Sequence, residues 1–506
     1  MNYRNIKNIK KIKDFIRRLT STGGSLSGKT ARGTFWVFTL RITDSLFRLI
    51  RVIVLARFLS PNDFGIFGIA LLVISILGAF SQTGHSQALI QKKEQVKSYF
   101  DVVWTIGLVR GFVIAVIVFS LARPAAVFFA APDAEQILRV IGFSVIIRSF
   151  NNIAILYFQK ELEFHKFFKY QFLGTIVDFT VAITAVFLLR SVWAIVFGLL
   201  AGNITRCIMS YIIESYRPKL KFIRSQAKEL FSFGKWVLGS TILIFLITQG
   251  DDIFAGKLLG ATMLGFYQIA YRISNMPTTE TSHVISRVSF PLYSKLQDNL
   301  SKLKDAYLKV LQLVTFISFP MAGLIFILAP EFTRLFLGKE WMPAVPAIKV
   351  LVLAGLIRSI ITTTLPLFRA IGRPKIETKW QMVRLFVLII LIYPFTITYG
   401  ILGTSISVLL SAFISSIGFC FEVVRIIKCG IKNFGKLIML PLLNGMIIVL
   451  CIYALKFYID AATFPGFIAL IGISIIIFFG INYLFDRYLN YRIRLLIKEG
   501  LYSFIS

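Results

Sequence analysis

Residues 53–70 read IVLARFLSPNDFGIFGIA, and residues 253–270, at an offset of 200, read IFAGKLLGATMLGFYQIA. Aligned without a gap, the two share Ile53/Ile253, Leu59/Leu259, Gly65/Gly265, Ile69/Ile269 and Ala70/Ala270, while Arg57/Lys257, Ala56/Gly256 and Phe67/Tyr267 are close in kind. Identity between two apolar segments is modest evidence by itself. Register makes it stronger, because each stretch leaves one long apolar run through a tight turn and enters the next. Six runs separate the copies, an even number, so both have the same orientation in a membrane and are related by an axis along its normal. This predicts a parallel repeat: helices 1–6 in residues 33–230 form one six-helix lobe and helices 7–12 in residues 231–430 a second, pseudo-symmetric one. Repeats of this kind hold substrate between the lobes near the midplane and work by rocking one lobe against the other. Two extra C-terminal helices, 13 and 14 in residues 431–486, fall outside the repeat. Packing on one lobe, flanking a lateral opening and mediating oligomerisation are all open to them.

Working outward, 57% of the 506 residues are hydrophobic, 16% are charged and the mean hydropathy is +0.77. Such a chain is too apolar for a soluble domain of this size, and the apolar runs recur throughout. We read it as an all-α polytopic membrane protein with about 14 transmembrane helices, each a run of about 20 residues. The runs are 33–58, 64–84, 102–122, 137–157, 170–189, 192–213, 232–255, 262–286, 307–328, 343–368, 380–398, 401–423, 437–456 and 467–485. With both termini cytoplasmic, 36 of the 56 Lys and Arg fall on the inner side and 7 on the outer, the bias expected of inward-facing loops. The basic N-terminal segment 1–32 and the basic tail 487–506 are then cytoplasmic. Segment 1–32 interleaves Lys7, Lys10, Lys11, Lys13, Arg17 and Arg18 with Ile6, Ile9, Ile12, Phe15, Ile16 and Leu19, which fits a helix lying on anionic lipid or a solvated orientation signal. The net charge of +32 does not point to nucleic acid, because the basic residues are spread over many short inner segments instead of forming one patch. The first apolar run is long and charged, unlike a cleaved signal. Cys207, Cys420, Cys429 and Cys451 lack metal-ligand spacing and read as packing residues.

The first run carries Arg41, Asp44, Arg48 and Arg51. Spacings of three, four and three put them within about 80° of one another on a helix turning about 100° per residue. A charge at bilayer depth costs at least about 2.5 to 3.5 kcal/mol, so this stripe faces protein or a water-filled cavity, and its sign suits an anionic cargo. Arginine holds phosphate oxygens with a permanently charged, bidentate fork. Arg41, Arg48 and Arg51 are therefore the first substrate-binding candidates, with Asp44 paired to Arg41 or Arg48. The competing reading is a structural charge network between helices. Further candidates are Arg110, Arg148, Arg206, Arg272 and Arg358; Arg139, Lys235, Lys349 and Arg384 lie nearer span ends, where snorkelling is cheaper. Asp178, Asp251 and Asp252 are the candidates for a coupling proton or sodium ion, although neutralising a neighbouring arginine is the favoured reading for Asp178, and adjacent carboxylates about 100° apart do not share one ligand. Pro277, Pro320, Pro366 and Pro394 permit kinks. There is no Walker A sequence, and His85, His165 and His283 are isolated, so neither a cofactor nor a catalytic residue is expected.

ARFLSPNDFGIFGIA, QALIQKK, SVWAIVFGLLAGN, GDDIFAGKLLGATMLGFYQIAYRISNMP, FPLYSKLQ and LAPEFTRLFLGKEWMPAVPAIKVLVLAGLIRS, in that order, resemble the polysaccharide-transporter branch of the multidrug/oligosaccharidyl-lipid/polysaccharide superfamily. The similarity is closest to its Wzx-type flippases and exporters and covers residues 33–430. The resemblance implies a non-enzymatic inner-membrane transporter that moves undecaprenyl-diphosphate-linked oligosaccharide, an exopolysaccharide or O-antigen repeat unit, to the outer leaflet by alternating access. It implies membrane lipids, a polysaccharide polymerase and chain-length machinery as partners. The related lipid II flippases use arginines of helices 1 and 8 around a diphosphate, which points to Arg272. Lipid II flippases and cation-coupled drug exporters share the fold and remain alternatives. A membrane-embedded glycan polymerase or ligase is the alternative from another class. It is opposed by short outer loops, the longest being 123–136 and 329–342.

Overall fold

The computed structural model describes residues 26–82, 96–160, 163–489 and Tyr491. Residues 1–25, the QALIQKK segment and most of the basic tail lie outside these, and the readings made of them with them. Among the described residues every regular element is helical. The first six long helices are α1 (Leu26–Phe58), α2 (Pro61–Phe80), α3 (Phe100–Phe128), α4 (Ala134–Ser149), α5 (Phe164–Leu189) and α6 (Trp193–Ile213).

The stretch Arg224–Ser274 is helical except at Gly260, whose φ of 81° and ψ of 178° divide it into α7 (224–259) and the start of α8 (261–274); α8 resumes at Met276–Leu296 after Asn275. Next come α9 (Leu300–Phe332) and α10 (Val345–Ala370). Pro374–Ile427 divides in the same way at Gly400, φ 58° and ψ −140°, into α11 (374–399) and α12 (401–427). Only glycine adopts such backbone without strain. At Gly400 the arms fold back on each other: the hydroxyls of Thr396 and Thr404 lie 2.9 Å apart and Ser407 Oγ donates to Leu391 O at 3.1 Å. Last are α13 (Ile431–Leu455) and α14 (Phe464–Leu489). The helices continue through Pro320, Pro366 and Pro394, whereas Pro277 follows the break at Asn275.

Nine stretches of the described residues are long and apolar enough to cross a membrane, and one of them contains both α11 and α12. The chain is a multi-pass membrane protein. The expected runs 33–58, 137–157, 232–255 and 262–286 are not among the nine. These hold the helix 1 stripe, Arg139 and Arg148, Lys235 with Asp251 and Asp252, and Arg272. Helix α4 is shorter than expected: it ends at Ser149, where Asn152 takes Ser210 Oγ as acceptor for its N–H and caps Ala154 N. The two longest of the short loops expected, 123–136 and 329–342, are mostly helical, since α3 reaches Phe128 and short helical turns fill 333–344.

The chain forms two compact units. One comprises the described residues up to Phe58 with those of Val73–Ala122 and Glu135–Thr241. In it α5 and α6 approach closely because Gly198 and Gly202 present no Cβ, which would meet Ala182 and Asp178. Helix α1 lies along α5, with Phe47 edge-on to Phe172 and Phe179. The extended segment 214–223 is strapped across α3: Tyr216 OH and Lys219 N donate to Asp101 Oδ1 at 2.7 and 2.8 Å, and Lys221 N to Thr105 Oγ1 at 3.0 Å.

The other unit comprises Leu59–Leu72, Arg123–Ala134 and the described residues from Ile242 onward. Its core gathers Tyr293, Tyr307, Leu311, Phe368 and Phe419 from α8, α9, α10 and α12. Helix α13 crosses α9 where Gly323 and Gly445 face each other's helix, and α14 adds Phe467, Leu470 and Phe478 to the same side. Lys456 of α13 and Glu331 of α9 close that contact with a 2.7 Å ion pair. Helices 13 and 14 therefore pack on α9. The two repeated segments also meet in this unit, and reciprocally: Gly65 lies against the carbonyl of Ala261, Gly265 against that of Pro61, and Thr262 Oγ1 donates to Asn62 Oδ1 at 3.3 Å, one repeat away.

Candidate functional site

The ionisable residues of the first unit converge from α1, α5 and α6. Asp44 and Arg51 are two turns apart on α1 and face Thr175 and Asp178, which are one turn apart on α5. Arg51 Nη1 donates to Asp178 Oδ2 at 2.8 Å and Arg51 Nη2 to Ile195 O at 3.4 Å. Both side chains are 18% exposed. Removing one partner of such a pair strands a buried charge, at a cost of about 3–5 kcal/mol. Arg48 Nη1 meets Asp44 Oδ2 at 3.1 Å with side-chain exposures of 57% and 29%, an arrangement that contributes only about 0.2–1 kcal/mol. Of the two pairings expected for Asp44, this is the one with Arg48. Arg41 is half-buried on the same helix.

Thr175 Oγ1 donates to Asp44 Oδ1 at 2.7 Å and accepts from Arg206 Nη2 at 3.3 Å. Arg206 Nη1 also reaches Asn203 Oδ1, at 3.5 Å. Arg148 is exposed at the end of α4, and it and Arg206 both lie within electrostatic range of Tyr170, whose hydroxyl accepts from Asn151 Nδ2 at 3.2 Å. Arg110 caps the end of α2 by donating to Gly78 O at 2.9 Å and Ser81 Oγ at 3.1 Å. Arg48, Arg51, Arg110, Arg148 and Arg206 thus stand against Asp44 and Asp178. Two ion pairs use both carboxylates. The charge that is left over is positive and can hold an anion.

The second unit gathers the other candidates. Asp251 and Asp252 of α7 are buried, and Tyr267 OH donates to Asp251 Oδ2 at 2.6 Å across the Gly260 turn. Among the described residues Asp252 Oδ1 meets no hydrogen-bond partner. Arg358 Nη1 donates to Asn275 Oδ1 at 2.7 Å and its guanidinium lies 5.1 Å from the Tyr271 ring centre. Arg384 departs from the snorkelling expected of it: it is buried, within electrostatic range of Asp251, because α11 begins at Pro374 and places it well inside the helix. Arg272 is exposed at the end of the first segment of α8. No group of His, Cys, Asp and Glu among the described residues could hold a metal ion.

Thr175, Asn203, Tyr170 and Asn151 escaped the sequence reading, which followed charge alone. One signal for them exists: Thr175 and Asn203 each precede a charged residue, Asp178 and Arg206, by one helical turn.

The sequence pattern of the polysaccharide biosynthesis protein family matches residues 54–346, more than half of the chain. The chain is 25% identical to the lipopolysaccharide biosynthesis protein WzxC of Escherichia coli (strain K12) over 79% of its own length and 82% of that protein. It is 24% identical to the succinoglycan biosynthesis transport protein ExoT of Rhizobium meliloti (strain 1021), over 67% of this chain and 68% of that one. Among solved structures, the lipid II flippase MurJ in an inward closed conformation superimposes with a TM-score of 0.73 and 16% identity, covering 90% of this chain and 99% of that one. The last similarity describes the fold.

Proposed function

Because the chain belongs to the polysaccharide biosynthesis protein family, we propose that it is a transporter that carries lipid-linked oligosaccharide, of the undecaprenyl-diphosphate class, across the inner membrane by alternating access. Both termini lie in the cytoplasm in this reading, and a polysaccharide polymerase with its chain-length machinery takes up the product outside. The observation that carries the proposal is the excess of arginine over carboxylate contributed by α1, α3, α4, α5 and α6. A diphosphate cannot cross about 30 Å of hydrocarbon uncompensated, and a fixed cationic site in protein supplies the compensation. The names of WzxC and ExoT, which concern lipopolysaccharide and succinoglycan, support a glycan cargo over a drug.

The test is translocation in proteoliposomes loaded with a fluorescent prenyl-diphosphate oligosaccharide. Replacing Arg148 and Arg206 together by Ala should abolish translocation without changing the amount of protein incorporated. Undiminished translocation by that double variant would sink the proposal.

A second element of the reading is coupling to a monovalent cation or proton at Asp252. Its buried carboxylate has an oxygen without a partner among the described residues, while Arg358 and Arg384 lie within range of Asp251. Asp252→Asn should make transport indifferent to imposed sodium and proton gradients, and a gradient response that survives in that variant would remove Asp252 from the coupling.

A further inference from the structure

The arginines of the first unit differ in what already holds them. Arg51 is neutralised by Asp178 at 2.8 Å and Arg48 by Asp44 at 3.1 Å. Arg110 spends Nε and Nη2 on the end of α2, where the helix dipole is negative. The hydrogen-bond partners of Arg206 are two neutral oxygens, Thr175 Oγ1 and Asn203 Oδ1. Asp178 lies within electrostatic range of it, but that carboxylate is already held by Arg51 at 2.8 Å, so the Arg206 guanidinium is the one of the four left to meet a ligand, at a place where Gly174 lets its side chain lie flat on α5.

Its orientation comes from the hydroxyl of Thr175. A threonine hydroxyl has one proton and two lone pairs. The proton is committed to Asp44 Oδ1 at 2.7 Å, the shorter and charge-assisted bond, so a lone pair is turned toward Arg206 Nη2. Thr175 is itself 9% exposed, and with water kept from this oxygen the arrangement is fixed. The relay Arg48, Asp44, Thr175, Arg206 thus runs across three helices.

Resting on the transport reading above, we propose that Thr175 is a positioning residue, which through its hydroxyl orients Arg206 as the arginine that meets the anionic group of the cargo. Neither residue is covalently changed. Thr175 sets affinity for the anion by presenting the guanidinium fork in one orientation instead of many.

The probe is farnesyl diphosphate, a soluble prenyl diphosphate, with farnesol as the uncharged control, titrated into the purified full-length protein. Thr175→Val keeps the shape and removes the hydroxyl. It should weaken farnesyl diphosphate binding about tenfold or more, the range for one lost hydrogen bond to a charged group. Farnesol binding should stay unchanged, while the lost bond to Asp44 lowers the melting temperature without ligand somewhat. Thr175→Ser, which restores the hydroxyl, should bind within about threefold of the natural protein, and Thr175→Ala, which relieves packing, should repeat the loss seen with Val. Equal binding by the Val variant and the natural protein, or failure of Ser to rescue, overturns the inference. So does a loss of farnesol binding as large as the loss of farnesyl diphosphate binding in both Val and Ala, since the hydroxyl would then be scaffolding. If Arg206→Ala weakens binding while Thr175→Val does not, the transport reading stands and only the positioning role falls. If the natural protein prefers farnesyl diphosphate no more than farnesol, both fall together.

Discussion

Arg51 stands with Arg41 and Arg48 among the first cargo-binding candidates by sequence, and its partner is what sets it apart from Arg48. Position 51 shares a helix face with residues 44 and 48, but which carboxylate meets it depends on α5, more than a hundred residues away. No helical spacing reports that distance. Asp178, for which the sequence favours neutralising an arginine over binding a coupling ion, lies 2.8 Å from Arg51. The consequence is a difference between two ion pairs that look alike in sequence. Asp178→Ala leaves Arg51 buried without its counter-charge and should lower stability by about 3–5 kcal/mol, read as a fall in melting temperature of the detergent-solubilised protein. Adding Arg51→Ala should restore most of the loss, because the stranded charge goes with it. Asp44→Ala should change the melting temperature far less, since Arg48 is 57% exposed and retains water. Equal destabilisation by the Asp178 and Asp44 variants would contradict this account.

At the scale of the helix, the sequence disclosed the elements better than their ends. The turn expected between the runs ending at 398 and starting at 401 falls at Gly400, because a tight reversal between apolar helices needs a residue free of a Cβ. Ala at Gly400 meets open space but is forced to φ 58°, ψ −140°, so Gly400→Ala should cost about 1–3 kcal/mol through strain alone. A melting temperature unchanged by that substitution would show that the turn relaxes. The early end of α4 was not legible, because it depends on Asn152 meeting Ser210 of α6. Nor was the strap at 214–223, which in sequence is only a basic loop. Its anchor is Asp101, and burial together with the bond to this carboxylate pushes the Tyr216 phenol above its ordinary value, so the hydroxyl remains a donor throughout the neutral range. Asp101→Ala should release the strap and expose the bonds after Lys219 and Lys221 to trypsin, while the natural protein resists. Equal cleavage rates would mean that the strap is not held by Asp101.

For the whole molecule, the offset of 200 was the most informative feature of the sequence, and its structural counterpart is the reciprocal contact of Gly65 with Ala261 and of Gly265 with Pro61. Any side chain at either glycine would collide with backbone of the other copy, so both positions require glycine. Asn62 and Thr262 occupy equivalent positions and touch, as residues on or beside a local twofold axis do. A rocking transporter that alternates its opening must part the two copies of this turn in one half of its cycle. Cysteines at Asn62 and Thr262, in a background with Cys207, Cys420, Cys429 and Cys451 replaced by Ser, should therefore form a disulfide on mild oxidation. Oxidation should stop translocation of the prenyl-diphosphate oligosaccharide in proteoliposomes, and reduction should restore it. Each single cysteine variant should be indifferent to the oxidant, which separates the cross-link from damage to either residue. The turn also lies on the outer side in the transport reading, so Cys at Asn62 or Lys339 should react with an impermeant thiol reagent in intact cells, whereas Cys at Lys302 should not. Full translocation by the oxidised double variant would mean that this end stays closed throughout the cycle, and the rocking of two repeats about their shared axis would have to be abandoned for a motion that leaves the contact of Gly65 and Gly265 intact.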